Sequence, residues 1–156
     1  MAKQKKPVEV FTDGSHFKGI CGFGVILLFG DKVKKIVSKT YTHSSVTRME
    51  IKAIVHTLET IKPGFDIYIY SDNKGVIDTI NKWVELWVKD GNINSKGNSG
   101  LWMRFLEAKF KHQLGGSDMS FCWIRSHTGH KYNEMVDKLA KEALKSKEVV
   151  KCDDNN

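Results

Sequence analysis

Long apolar runs are missing from this chain. In its 156 residues no stretch approaches the ~18 consecutive apolar residues needed to cross a bilayer. The start, Met1-Ala2-Lys3-Gln4-Lys5-Lys6, is basic, but no apolar signal core follows it. Cysteine is scarce. Cys21, Cys122 and Cys152 are an odd number without metal-ligand spacing, which argues against a disulfide framework and suits a reducing compartment. Internal repeats and long linkers are absent as well. These absences exclude a membrane-spanning or disulfide-stapled class. They lead us to expect a soluble, cytoplasmic protein.

What is present fits one domain with a single core. The apolar fraction is 40% and the charged fraction 28%, ordinary values for a globular chain. The formal net charge of +7 favours a polyanionic partner, with nucleic acid first and a membrane surface second. A lysine-rich surface kept for solubility is the competing explanation.

Val8 to Thr12 is rich in β-formers and ends in the turn signal Asp13-Gly14-Ser15. Ile20–Phe29 and 33–41 read as two further strands joined by short turns, an antiparallel meander. The period then changes. Ile51, Ile54, Val55, Leu58 and Ile61 form a helical stripe over about 47–62. Ser44 or Ser45 can cap it, and Pro63-Gly64 stops it. Phe65 to Tyr70 reads as a buried strand, followed by a helix through Trp87 that bends near Asn81. Residues 90–100 are a glycine, asparagine and serine loop. A helix over 101–113 should bury Trp102, Phe105, Leu106 and Phe110. A fifth strand over 119–125 leads through the loop Ser126-His127-Thr128-Gly129-His130 to a last helix. The expectation is an α/β protein: a five-stranded mixed sheet, three antiparallel strands then two parallel, flanked by helices. Residues 1–7 would be a basic tail, 8–146 the domain and 147–156 a polar tail.

Four carboxylates stand where packing does not require an acid. Asp13 ends the first strand and Asp72 the fourth. Glu50 lies in the first turn of the first helix and Asp137 near the start of the last. Each has an ordinary explanation: a turn residue, an N-cap, or an acid at the positive end of a helix dipole. Together they suggest more. If the first and fourth strands are central, their ends are adjacent and helices on the sheet can add the other two acids. Clustered carboxylates repel unless protons or cations neutralise them. A set of oxygen ligands suits the hard ions Mg²⁺ or Mn²⁺. His127 and His130 could instead be a zinc pair, but nothing at close spacing completes that site.

Thr12-Asp13-Gly14-Ser15, Thr47-Arg48-Met49-Glu50, Tyr70-Ser71-Asp72-Asn73, the run from Trp123 to His130 and Asn133-Glu134-Met135-Val136-Asp137-Lys138-Leu139-Ala140 occur in an order that resembles type 1 ribonuclease H. The resemblance covers about Val8 to Ala143. It implies a ribonuclease H-like fold and an endonuclease that cuts the RNA strand of RNA–DNA hybrids, leaving 5′-phosphate and 3′-hydroxyl ends. It also implies that Asp13, Glu50, Asp72 and Asp137 hold two Mg²⁺ ions, with Mn²⁺ as a substitute, and that His127 assists proton movement or product release. A monomer is expected, with no membrane partner.

For substrate binding the resemblance implies Gly14, Ser15, Ser45, Thr47, Asn73, Lys82, Trp83 and Trp87. Residues 81–112 carry six Lys/Arg against three acids, although core packing is an equal claim on each tryptophan. The chain departs from the family in three places. The loop Gly91 to Gly100 is shorter and less basic than in bacterial members. The turn after Asp13, His16-Phe17-Lys18-Gly19-Ile20, is short and proline-free. Val46 and Thr47 replace a pair of amide side chains that touch the RNA minor groove. A non-catalytic hybrid-binding module, or another nuclease or recombinase of the same fold, are the alternatives. Intact acids at all four positions weigh against the first, and the histidine loop ahead of Asp137 against the second.

Overall fold

The computed structural model describes residues 7–126 and 128–152. Alternation of buried Val8, Val10 and Thr12 commits the first segment to strand β1 (Pro7–Phe17). Strand β2 (Ile20–Phe29) folds back on it, with Phe11 opposite Ile26 and Asp13 opposite Gly24. Strand β3 (Lys32–Val37) continues the meander along β2.

The third expected strand is two strands. It breaks at Ser38-Lys39, where Ser38 Oγ accepts from Phe23 N at 2.8 Å and donates to Lys39 O at 2.7 Å. A side chain thus takes over a ladder bond, and the chain restarts as β4 (Thr40–Thr42) beside Ile20 and Cys21. Helix α1 (Val46–Thr60) follows, capped by Ser45, whose Oγ accepts from Arg48 N.

Strand β5 (Asp66–Ser71) pairs in parallel with β1, and β6 (Met119–Trp123) pairs in parallel with β5. The segment expected as a polar tail contributes strand β7 (Val149–Lys151), parallel to β4. Its signal was the β-branched pair Val149-Val150. The mixed sheet therefore has seven strands in the order β6-β5-β1-β2-β4-β7, with β3 also on β2, rather than five.

Between β5 and β6 run α2 (Lys74–Asp78), a π-helical turn over Thr79–Trp83, α3 (Val84–Lys89) and α4 (Ser99–Leu114). The π turn is the bend expected near Asn81. Asn81 Nδ2 ties it to β6 by donating to Phe121 O at 2.9 Å. The wider turn shifts the helical register. Val76, Ile77, Ile80 and Val84 remain buried, whereas Trp83 is turned out and is 47% exposed. Phe110 also faces outward, and Ala108 and His112 take the inward positions of α4. His112 Nε2 bonds Leu58 O at 2.7 Å, fastening α4 to α1.

Two apolar layers cover the sheet. Val10, Val25 and Ile69 pack with α1 and the helices after β5 in one cluster. Phe11 and Ile26 pack with Val136 and Leu139 of α5 (Lys131–Glu142) in the other. Close approach of α5 and of the turn that follows it at Ala143 depends on glycine. A Cβ at Gly24 would lie 2.7 Å from Leu139 Cβ, and one at Gly22 would lie 2.4 Å from Ala143 Cβ.

Candidate active site

Sheet register brings the first two acids together. Thr12 pairs with Ser71 in the parallel ladder, so Asp13 stands beside Asp72, which lies just past the end of β5. Asp13-Gly14-Ser15 is not the turn expected there: β1 runs on through it to Phe17, paired with β2. Asp72 is not the N-cap of α2. That role falls to Asn73, whose Oδ1 accepts from Val76 N at 3.0 Å. Trp123 Nε1 donates to Asp72 O at 3.1 Å and fixes the backbone there.

The third acid comes from α1. The helix passes so close to β1 that a Cβ at Gly14 would lie 3.0 Å from Met49 Cβ, 3.1 Å from Val46 O and 3.2 Å from Glu50 N. Glycine therefore permits the contact that brings Glu50 to Asp13. One oxygen each of Asp13, Glu50 and Asp72 lie within 4.8 Å of one another. Asp137 approaches the group from the opposite face on α5, near enough for its charge to raise the Asp13 pKa. Lys141, one turn on, holds Asp137 Oδ2 at 3.0 Å.

Helix dipoles do not account for these positions. Glu50 and Asp137 both lie beyond the first turns of their helices. Burial makes the cluster costly instead. It raises the Asp13 carboxyl to about 7, helped by the charges of Asp72 and Asp137 and opposed by a hydrogen bond with Glu50. Burial and Asp13 push Glu50 well above the ordinary carboxylate range. Glu50 Oε2 is buried without a hydrogen-bond partner among the described residues. An orphaned acceptor in a nest of acids is what a bound cation would satisfy, so the donor set fits hard divalent ions.

Other expected residues divide. Ser15 Oγ donates to Ala140 O at 2.7 Å, so that hydroxyl braces α5. Ser45 caps α1. Thr47, Asn73 and Trp87 meet in one cleft of about 330 Å³, which Asn98 also lines. Lys96 Nζ stands 5.3 Å over the Trp87 ring. Lys82 pairs at the surface with Asp78, and Trp83 lies exposed beside it. A second cleft, of about 200 Å³, joins Asp72 and Asp137 to Ser126, Asn133, Glu134 and Lys138. His127 lies outside the described residues. His130 packs its ring 5.0 Å from Phe11 and caps α5, a structural use. Asn98, hidden in a loop without periodicity, carried no sequence signal beyond its place before a helix.

A family model described as RNase H matches residues 5–145. The chain belongs to the ribonuclease H family. A "Ribonuclease H" of Syntrophus aciditrophicus is 37% identical over 146 residues, covering 89% of this chain and 81% of that one. Among solved structures, LC9-RNase H1, described as a type 1 RNase H with the type 2 active-site motif, superposes with a TM-score of 0.72 at 20% identity, covering 93% of this chain and 75% of that one. LC11-RNase H1, solved in complex with RNA/DNA hybrid, gives 0.66 at 12% identity over 88% of this chain and 96% of that one. At those identities the two structures speak for the ribonuclease H fold, and the family membership makes the chain a ribonuclease H enzyme. Among the described residues no helix is long and apolar enough to cross a membrane.

Proposed function

We propose that this ribonuclease H hydrolyses the RNA strand of RNA–DNA hybrids by two-metal-ion catalysis and leaves 5′-phosphate and 3′-hydroxyl ends. The observation that carries the reading is the acid cluster, three carboxylate oxygens within 4.8 Å with Glu50 Oε2 unpartnered. Asp13, Glu50, Asp72 and Asp137 would hold the ions, Mg²⁺ by preference and Mn²⁺ as a substitute. Bound divalent ions would lower the pKa of water and neutralise charge on the attacking and leaving oxygens.

The protein's own part is positioning. Asp13, on whose carboxyl both Glu50 and Asp137 bear, would be the central ligand of the set. Two layers of packed helix hold these carboxylates before substrate arrives, which avoids reorganisation during reaction. His127 would move a proton near the leaving or attacking oxygen, a task for which an imidazole is the usual side chain. His127→Ala should slow turnover by roughly 10²-fold without abolishing it. An unchanged rate would remove that role.

Substrate grip would come from the cleft of Thr47, Asn73 and Trp87 and from Lys82 and exposed Trp83, acting on backbone phosphates and bases. We further propose that the chain acts in the cytoplasm as a monomer. The test is cleavage of a labelled RNA–DNA hybrid beside double-stranded RNA, single-stranded RNA and DNA duplex, with Mg²⁺ and with EDTA. Metal-dependent cutting of the hybrid's RNA strand alone is expected. Cutting of DNA duplex would overturn the substrate, and hybrid binding without cutting would overturn the catalytic reading.

A further inference from the structure

A chain of hydrogen bonds links the end of β7 to the substrate cleft. Cys152 follows β7 and is anchored there by its N–H, which donates to Thr42 O at 2.9 Å. Its Sγ accepts from Arg48 Nε at 3.1 Å. Arg48 Nη1 in turn donates to Asn98 Oδ1 at 3.0 Å. Arg48 and Cys152 are both buried, at 8% and 6% exposure.

Asn98 is the unusual member. Its φ of +62° is a left-handed conformation that a non-glycine residue adopts at a cost, asparagine more readily than most. It stands just before α4, where its carbonyl accepts from Trp102 N at 3.0 Å. The guanidinium carries donors only, so Asn98 must turn its amide oxygen to Arg48. Its NH₂ is thereby left as a donor for the cleft that Asn98 shares with Thr47 and Asn73. Arg48 itself leaves α1 next to Thr47, so one guanidinium joins three separate parts of the chain.

We propose that Cys152 and Arg48 are positioning residues for the substrate cleft: the thiol fixes the guanidinium, the guanidinium fixes the Asn98 amide, and docking of β7 thereby sets how well the cleft takes a nucleic-acid backbone. This rests on the hybrid-cleaving reading above. The expected effect is on binding and not on the chemical step, because neither residue is among the acids.

The test is steady-state cleavage of the hybrid by the full chain and by its Cys152→Ala, Arg48→Lys, Asn98→Ala and Cys152→Ala/Asn98→Ala variants, with thermal melting of each. Cys152→Ala and Arg48→Lys should each raise KM about three- to tenfold, the worth of one hydrogen bond, with kcat within about twofold. The double variant should be no worse than Asn98→Ala alone, since both break the same relay. An unchanged KM in folded Cys152→Ala, or penalties that multiply in the double variant, would overturn the proposal. So would loss of kcat in step with lost melting cooperativity. A second readout needs no cleavage: the Asn98 side-chain amide signals in a proton–nitrogen spectrum should shift in Cys152→Ala. Unmoved signals would overturn the relay. If the wild-type chain cuts no hybrid, the functional reading fails and the spectrum alone decides the relay.

Discussion

Asp13 and Glu50 bring carboxylate oxygens within 4.8 Å of each other, and burial holds both carboxyls above their ordinary range. In the metal-free protein such a pair is stable only with a proton between them. The same two groups, deprotonated, would be ligands in the proposed metal site. Protons and metal ions therefore compete for one place.

Asp13→Asn should separate stability from function. The substitution removes a ligand charge and no core volume. Cleavage should fall by at least about a hundredfold, with full activity sinking the metal-site assignment. At neutral pH without metal, the same variant should be more stable than wild type, by on the order of 1–3 kcal/mol. Urea denaturation in EDTA measures this, and an equal or lower midpoint would refute the strained pair.

The pH dependence has a fixed direction. An acid whose pKa is higher when folded binds its proton more tightly in the folded chain. The stability tied to Asp13 is full below the ordinary value of 3.8 and is lost as pH rises through about 7. Metal-free wild type should thus lose stability relative to Asp13→Asn across that window, and excess Mg²⁺ should restore it. Apparent Mg²⁺ affinity, read by calorimetry at several pH values, should rise up to about pH 7 and then level. A flat profile would contradict the coupling.

Gly14→Ala tests the helix–strand contact. The added methyl would press on Val46 O and Glu50 N, atoms of a helix backbone that can give little. We expect a loss of about 1–2 kcal/mol in stability and a larger fall in activity, because Glu50 moves with α1. Wild-type kinetics in this variant would show that the close approach does not govern the acid cluster.

Trp83→Ala tests the outward tryptophan. At 47% exposure it contributes little to the core, so melting should change by less than about 0.5 kcal/mol. Hybrid binding should weaken by about 1–3 kcal/mol if the ring stacks on bases. Fluorescence anisotropy across salt concentrations reads both the loss and the phosphate contribution. An unaltered Kd would return Trp83 to a surface role.

Sequence alone determined the kinds of residue and their local setting. The β-formers before Asp13 and Asp72 announced two strands and the stripe through Ile51, Ile54 and Leu58 announced α1, although β1 runs on past the expected turn at Asp13 to Phe17. These features depend on periods of two and 3.6, which a window of a few residues contains. The bend near Asn81 was legible too, but not that its wider turn would expose Trp83. Only the tertiary structure decided what depends on distant partners. The β1–β5 register set Asp13 beside Asp72, and the missing Cβ of Gly14 set Glu50 against them. Glycines in β2 let α5 bring Asp137 from the other face. Strand β7 offered only the β-branched pair Val149-Val150, because three residues have no period, and the Asn98 relay offered nothing, because a hydrogen bond across 50 positions leaves no local trace. Burial then made Asp13 and Glu50 unlike ordinary surface acids, because a carboxylate's pKa and its need for a cation are properties of its surroundings.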